Sequence, residues 1–276
     1  MSKTKFAIIG DPISHSLSPF LHNYWFKKYQ IDAEYSLLNI QPDEIEKTID
    51  KVKKKEIKGI NVTLPYKRSV IPFLSKIVND ATQTHSVNTI LLDENESIIG
   101  ENTDVFGFQA AYLKSISELE KKNKKALILG AGGVAPSIIL ALIKSNFNKI
   151  SLSNRTYEKS LFLKKKFPNI NIIKWEDYPR KFDEFDIVIN ATSLGLTKGD
   201  DFKHKVEKFK KSLIYIDTIY NPSQTKMIKH FKLSNIKTYN GLSMFIYQGQ
   251  KSFYLWNKIN PEIDQVLVEH LENEIG

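Results

Sequence analysis

The chain has 276 residues, 41% hydrophobic and 26% charged, with no cysteine and no run of 18 apolar residues. That is the composition of an ordinary globular protein long enough for two domains; it excludes disulfides and thiolate metal sites, gives no sign of a membrane span, and fits a reducing, cytoplasmic setting. The formal charge of +9 raises nucleic acid as a partner, but acids and lysines are mixed along amphipathic stretches such as DEIEKTIDKVKKKE. The charge therefore reads as solvated surface, no nucleic-acid partner is expected, and a small anionic ligand suits it equally well. The apolar run of MSKTKFAIIGDPIS stops at Asp11, too soon for a signal peptide. The six histidines (15, 22, 85, 204, 230 and 270) show no metal-ligand spacing, so no metal site is expected.

Along the chain, short β-rich runs alternate with helical patterns. KFAIIG, AEYSLLNI and GINVT are separated by SPFLHNYWFKKYQ and DEIEKTIDKVKKKE. This is a βαβαβ order, which argues for a parallel sheet. FGFQAAYLKSISELEKKNKK reads as a helix running into a lysine-rich exposed connector. A second series follows: KALILG, the helix VAPSIILALIKSN, the strand KISLSN, a helix from Tyr157, then DIVINAT, SLIYIDTIY and IKTYNG. The chain closes with LSMFIYQGQKSFYLW and an amphipathic helix, PEIDQVLVEHLENEI. The fold class predicted is α/β with two domains, the second a Rossmann-type doubly wound cofactor domain.

KALILGAGGVAPS is a buried-type strand, a glycine turn and a helix start. Gly130, Gly132 and Ala135 fit G-x-G-x-x-A. The first glycine allows the tight turn, the second admits a pyrophosphate, and the alanine lets helix pack on strand. The helix N-terminus attracts the anion. Sites for NAD place an acid at the end of the next strand, where it holds the ribose 2′-hydroxyl. Here that strand ends Ser153-Asn154-Arg155-Thr156, with Lys159 one turn later. Arg155 is one of only three arginines in the chain, and a planar guanidinium suits a 2′-phosphate. The expected cofactor is NADP.

The first half carries polar residues at its strand ends: Asp11 to Pro19 after the first strand, Thr63 and Lys67 after the third, then Val87-Asn88-Thr89 and Gly100-Glu101-Asn102-Thr103-Asp104. Each has a bland reading. Ser16 and Ser18 could cap a helix, as could Asp104; Asn88 could hold a turn; Thr63 could be an ordinary strand residue, and Gln248 an exposed helix position. Together they suit a ligand with several hydroxyls.

With these motifs the chain resembles the shikimate dehydrogenase family over nearly its whole length. S-L-S-P with His22-Asn23, N-V-T-L-P-Y-K, S-V-N-T, E-N-T-D, G-A-G-G, N-R-T, N-A-T-S-L-G, D-T-I-Y-N-P and G-L-S-M-F-I-Y-Q follow in the family's order. The resemblance implies an N-terminal α/β substrate domain of residues 1–104 and 242–276 and an NADP domain of residues 105–241. It makes Lys67 and Asp104 the catalytic pair. It makes Ser16, Ser18, Thr63, Lys67, Asn88, Asp104 and Gln248 contacts to shikimate or 3-dehydroshikimate, with Tyr220 nearby. Gly130, Ala131, Gly132, Gly133, Asn154, Arg155, Thr156, Lys159, Gly241 and Met244 would line the NADP site. Pro136, Phe245 and Tyr247 depart from the family's usual residues. A homodimer is left open.

Oxidising a secondary alcohol with a nicotinamide leaves the hydroxyl proton for the protein to handle. A lysine just past a strand end, facing an aspartate, can take that proton when neutral and return it when charged. The alternatives are an NAD-dependent quinate/shikimate dehydrogenase, against which Arg155 stands, and a non-catalytic dinucleotide-binding regulator, which has no need of a lysine–aspartate pair.

Overall fold

The computed structural model of the chain describes residues 3–275 and divides it into two compact units, 1–107 with 246–273 and 108–245 with 274–276. In chain order the elements of the first unit are β1 (Thr4–Gly10), α1 (Ser18–Lys28), β2 (Ala33–Asn39), α2 (Ile45–Lys53), β3 (Gly59–Val62), β4 (Lys76–Ile77), α3 (Asp80–Thr84), β5 (Thr89–Leu92), β6 (Ile98–Glu101) and the start of α4 (Asp104–Phe108). The second unit holds α5 (Glu118–Asn123), β7 (Lys125–Leu129), α6 (Ala135–Lys144), β8 (Lys149–Ser153), α7 (Tyr157–Lys166), β9 (Asn171–Ile173), β10 (Ile187–Asn190), β11 (Ile214–Asp217), α8 (Lys226–Leu233) and β12 (Lys237–Tyr239). Helix α9 (Leu242–Asn257) joins the first unit from Ile246, and α10 (Gln265–Glu274) follows it.

The sheet of the first unit has the order β2-β1-β3-β5-β6-β4. The βαβαβ part is parallel, as its sequence predicts. Beyond β3 the sheet is mixed: β4 runs parallel to β6 at the edge, β5 runs antiparallel to β3, and β6 pairs with β5 as a hairpin. Its turn is built by Asp93, whose carboxylate accepts the N–H groups of Asn95 at 3.0 Å and Ser97 at 2.9 Å, the usual role of an Asx side chain in a loop. Side chains alternate between the two faces of the strands. An aliphatic layer forms around Ile9, Ile60, Val62 and Ile90 with Ile45, Ile49 and Val52 of α2. Elsewhere in the unit an aromatic cluster joins Phe6, Phe26, Phe253 and Trp256, with ring centroids about 5 Å apart.

The second unit has the order β12-β11-β10-β7-β8-β9, all parallel. This is the doubly wound arrangement, with its switch point between β7 and β10, where such sheets bind nucleotides. Its core clusters around Leu127, Leu129, Val188, Tyr215 and Phe231.

Two expectations need correction. The connector is not one helix: α4 gives way to a π turn (Gln109–Leu113), and α5 starts afresh. The cause is Ser117, whose Oγ accepts the N–H of Glu120 while the Glu120 carboxylate accepts from Ser117 N–H, a capping box that begins a new helix. Nor is the lysine run wholly exposed, since Lys121 is buried. The last helix starts at Gln265, not Pro261. Asp264 caps it through Leu267 N–H at 2.8 Å, and the extended residues before it are tied to α1 through Trp25, Tyr29 and Lys28. Among the described residues no helix is long and apolar enough to cross a membrane.

Candidate active site

In the first unit the end of β3 leads into the turn that carries Lys67. Thr63 N–H donates to Ile9 O at 2.9 Å, and Tyr66 N–H closes the turn on Thr63 O at 2.9 Å. Tyr66 is buried and its hydroxyl donates to Ile40 O at 2.7 Å. Lys67 O accepts Val87 N–H at 2.8 Å, while Asn88 spans two strands: its carbonyl accepts Val62 N–H and its N–H donates to Glu101 O. The turn after β3, the entry to β5 and the exit from β6 are therefore held side by side by main-chain hydrogen bonds.

The side chains converge there. Lys67 Nζ lies 2.6 Å from Asp104 Oδ2, with side chains only 12% and 7% exposed. Asn88 Nδ2 lies 3.0 Å from Asp104 Oδ1, 2.9 Å from Thr103 Oγ1 and 3.3 Å from Gln248 Oε1. Both carboxylate oxygens of Asp104 are thus held, one by an ammonium and one by an amide, and such charge-assisted bonds are the strong ones. Helix capping is not the role of Asp104. Asn102 Oδ1 accepts Val105 N–H at 3.2 Å, which leaves the Asp104 carboxylate to Lys67 and Asn88. The serines are not caps either: the N-cap of α1 is Leu17, without a side-chain bond. Ser16 Oγ instead donates to Ser18 Oγ at 3.1 Å and accepts Ser18 N–H at 3.3 Å. Thr63 is half-buried beside the lysine turn.

The second unit holds Tyr220 and all the residues expected for the cofactor. Tyr220 stacks on Phe245, rings 4.8 Å apart and 30° from parallel. Gly130 has φ +107°, and a Cβ there would lie 2.7 Å from both Ala191 O and Thr192 Cγ2, so backbone and packing both require glycine. Gly132 differs: a Cβ would meet only Ala191 O, at 3.9 Å. Among the described residues nothing else comes within 4 Å of that position, which fits the close approach of a pyrophosphate. Ala131 N–H donates to Asn154 Oδ1 at 2.9 Å, and Asn154 Nδ2 donates to Thr156 O at 2.8 Å. Asn154 thereby ties the glycine loop to the turn after β8. Arg155 and Lys159 are exposed, and among the described residues neither is in an ion pair. Gly133 lies in the loop before α6, whose first residues Ala135 and Pro136 are buried. Met244 is buried, and Gly241 is required by packing, since a Cβ would lie 2.2 Å from Thr218 O.

Sequence reasoning passed over a second tier. Asp217, fully buried at the end of β11, accepts from Asn190 Nδ2, Ile219 N–H and Thr225 Oγ1 at 2.8–3.1 Å. Burial pushes its carboxyl up to about 6. Asn190 in turn accepts from Thr192 N–H and Oγ1 at 2.9 and 2.7 Å, shaping the loop that abuts Gly130. In the first unit, Asn61, Thr89, Thr103 and Ser252 form a buried polar group beneath Asn88. An asparagine in the middle of a buried-type strand was the available signal, since buried polar groups need partners.

Comparison with known proteins agrees with this geometry. Residues 8–90 match the model of the shikimate dehydrogenase substrate binding domain, and residues 112–240 that of shikimate / quinate 5-dehydrogenase. A shikimate dehydrogenase (NADP(+)) of Pelagibacter ubique is 48% identical over 272 residues, covering 99% of this chain and 100% of that protein. The crystal structure of shikimate dehydrogenase from Aquifex aeolicus superposes with a TM-score of 0.86 at 33% identity, covering 98% of this chain and 97% of that one. That of shikimate 5-dehydrogenase from Thermus thermophilus, in complex with NADP(H) and shikimate, gives 0.83 at 27% identity and covers 98% of each chain. With relatedness of this degree along its full length, the chain belongs to the shikimate dehydrogenase family.

Proposed function

We propose that the protein is an NADP-dependent shikimate dehydrogenase, an oxidoreductase that reversibly reduces 3-dehydroshikimate to shikimate in aromatic amino-acid biosynthesis. The observation that carries this reading is the enclosed Lys67–Asp104 pair, 2.6 Å apart, in a family whose named members act on shikimate with NADP. NADP(H), when bound, supplies the two-electron transfer at the carbon that bears the hydroxyl. Lys67 handles the proton of that hydroxyl, as base in oxidation and as acid in ketone reduction. Asp104 keeps Nζ in place, and Asn88 keeps Asp104 in place. Ser16, Ser18, Thr63, Asn88 and Gln248 offer hydroxyl and amide groups to the ring substituents and carboxylate, with Tyr220 as a further contact. Gly130, Ala131, Gly132 and Gly133 would admit the pyrophosphate at the start of α6, and Arg155 with Lys159 would take the 2′-phosphate. Asn154 and Thr156 shape that turn, and Gly241 and Met244 complete the proposed cofactor surface.

The substrate domain is assigned to residues 1–104 and 242–276 and the cofactor domain to 105–241, which the division into compact units near 107/108 and 245/246 supports. A cysteine-free sequence supports a cytoplasmic setting. The deciding assay follows shikimate oxidation with NADP and NAD side by side. A higher kcat/KM with NADP is expected; a preference for NAD would move the protein to the quinate/shikimate type.

A further inference from the structure

We propose that Ser252, on α9, is a positioning residue for this reaction, acting with Thr103 to fix the amide of Asn88 and through it the Asp104 carboxylate. The inference rests on the Lys67–Asp104 reading above. Ser252 is fully buried. Its Oγ donates to Gln248 O at 3.1 Å, the carbonyl one turn back in its own helix. That uses its only proton, so toward its other neighbours the oxygen is an acceptor, its two lone pairs shared among them. Those neighbours are Asn61 Nδ2 at 3.1 Å, Thr89 Oγ1 at 2.8 Å and Thr103 Oγ1 at 3.2 Å.

The proton directions follow. Tyr35 Oη donates to Asn61 Oδ1 at 2.7 Å, so the Asn61 amide must turn Nδ2 toward Ser252, Thr89 and the carbonyl of Asn88. Thr103 gives its proton to Ser252 and is left as an acceptor for Asn88 Nδ2, at 2.9 Å. Asn88 Oδ1 receives Thr103 N–H at 2.8 Å, while the Thr89 hydroxyl spends its one proton on Ser252. With the Thr103 N–H on its oxygen and the Thr103 hydroxyl oxygen beside its nitrogen, the Asn88 amide has one orientation. That orientation points Nδ2 at Asp104 Oδ1, 3.0 Å away. Were the amide reversed, its oxygen would face the carboxylate and repel it. Ser252 is the acceptor that sets the direction of the Thr103 hydroxyl. A fully satisfied buried network of this kind rigidifies what it touches, and small losses of position at a reacting centre cost rate steeply.

The test is a double-mutant cycle with steady-state kinetics. Ser252→Ala is expected to lower kcat roughly tenfold, within the range that misplacement of a catalytic group produces. In an Asn88→Ala background the same change should have no further effect, since the amide it orients is gone. Thr103→Val should reproduce the loss and Thr103→Ser should restore turnover, because only the hydroxyl matters. Should Ser252→Ala fail to fold by circular dichroism, the Thr103 pair carries the test with its main chain intact. Wild-type kcat in Ser252→Ala or Thr103→Val overturns the proposal. So does a loss from Ser252→Ala that simply multiplies with that of Asn88→Ala, the signature of a purely structural role. If Lys67→Ala also keeps normal turnover, the catalytic reading itself has failed; if Lys67→Ala is inactive while Ser252→Ala is unaffected, only the positioning role is lost.

Discussion

Lys67 is distinguished from most of the chain's lysines by enclosure and by its buried carboxylate partner. Its side chain is 12% exposed and bound to a carboxylate whose other oxygen is held by Asn88. Most ion pairs here lie at the surface, as Lys55 with Glu96 does at 61% and 68% exposure, and such pairs contribute little. Lys67→Ala is expected to lower kcat by roughly 10²-fold or more, the lower end of a general acid–base contribution, with a smaller effect on shikimate binding. Turnover near the wild-type rate in that variant would remove Lys67 from the chemistry. Arg155 is argued from the opposite geometry, an exposed guanidinium with no acid at the strand end. Loss of a charge-assisted contact of about 1.5–3 kcal/mol means Arg155→Ala should weaken NADP by roughly 10- to 100-fold and leave NAD nearly unchanged. Comparing kcat/KM for both cofactors checks it, and equal losses would make Arg155 a support of the fold.

At the scale of elements, the glycine loop between β7 and α6 separates two kinds of glycine. Gly130→Ala forces a side chain into φ +107° against Ala191 O, at a cost of about 1–3 kcal/mol from the backbone alone, so the melting temperature should fall. Gly132→Ala meets open space and should leave stability within about 0.5 kcal/mol, yet weaken NADP roughly tenfold or more by crowding the pyrophosphate. Melting curves and cofactor titration on both variants test the contrast; a stability loss at Gly132 would reverse it. The sequence made this loop legible because the strand, turn and helix are contiguous. It also made the parallel strands legible, through apolar runs of five to eight residues. It did not reveal the β5–β6 hairpin, although TILL and SIIG around DENE carry the pattern, because apolar runs of four residues are too short for periodicity to assign. The break in the connector was not read either, although Ser117 and Glu120 three residues apart carry its capping-box signature. Of the network beneath Asn88 only Asn61, a polar residue in a buried-type strand, was legible; its partners were not. The network's bonds join residues 163 and 191 positions apart, and only strand pairing together with the return of α9 to the first unit brings them into contact.

At the scale of the whole molecule, buried His22 in the first unit and buried Asp217 in the second carry shifts that bear on acid stability, and the two act in opposite directions. His22, in the first unit, is fully buried and stacked flat on Tyr35, rings 4.4 Å apart and 5° from parallel. Burial pushes its imidazole down to about 3 from 6.5. The folded state therefore holds it neutral while the unfolded chain takes up a proton below 6.5. Its contribution is present above that pH and is lost progressively as pH falls toward 3, with a limiting slope of about 1.4 kcal/mol per pH unit. Asp217, in the second unit, is shifted up from 3.8 to about 6. Its contribution is full below 3.8 and is lost as pH rises through 6. Acidification from about pH 7 to about pH 5 should thus weaken the first unit through His22 and strengthen the second through Asp217. The remaining carboxylates titrate alike in wild type and variant, so differences isolate each group. His22→Phe keeps a ring against Tyr35 and removes the proton site; its stability, measured by denaturant unfolding at both pH values, should fall less on acidification than that of the wild type. Asp217→Asn should fall more. Parallel pH dependence in wild type and His22→Phe would mean that the imidazole takes up its proton in the folded protein as readily as in the unfolded chain, which its enclosure by Tyr35, Trp25, Phe253 and Trp256 opposes.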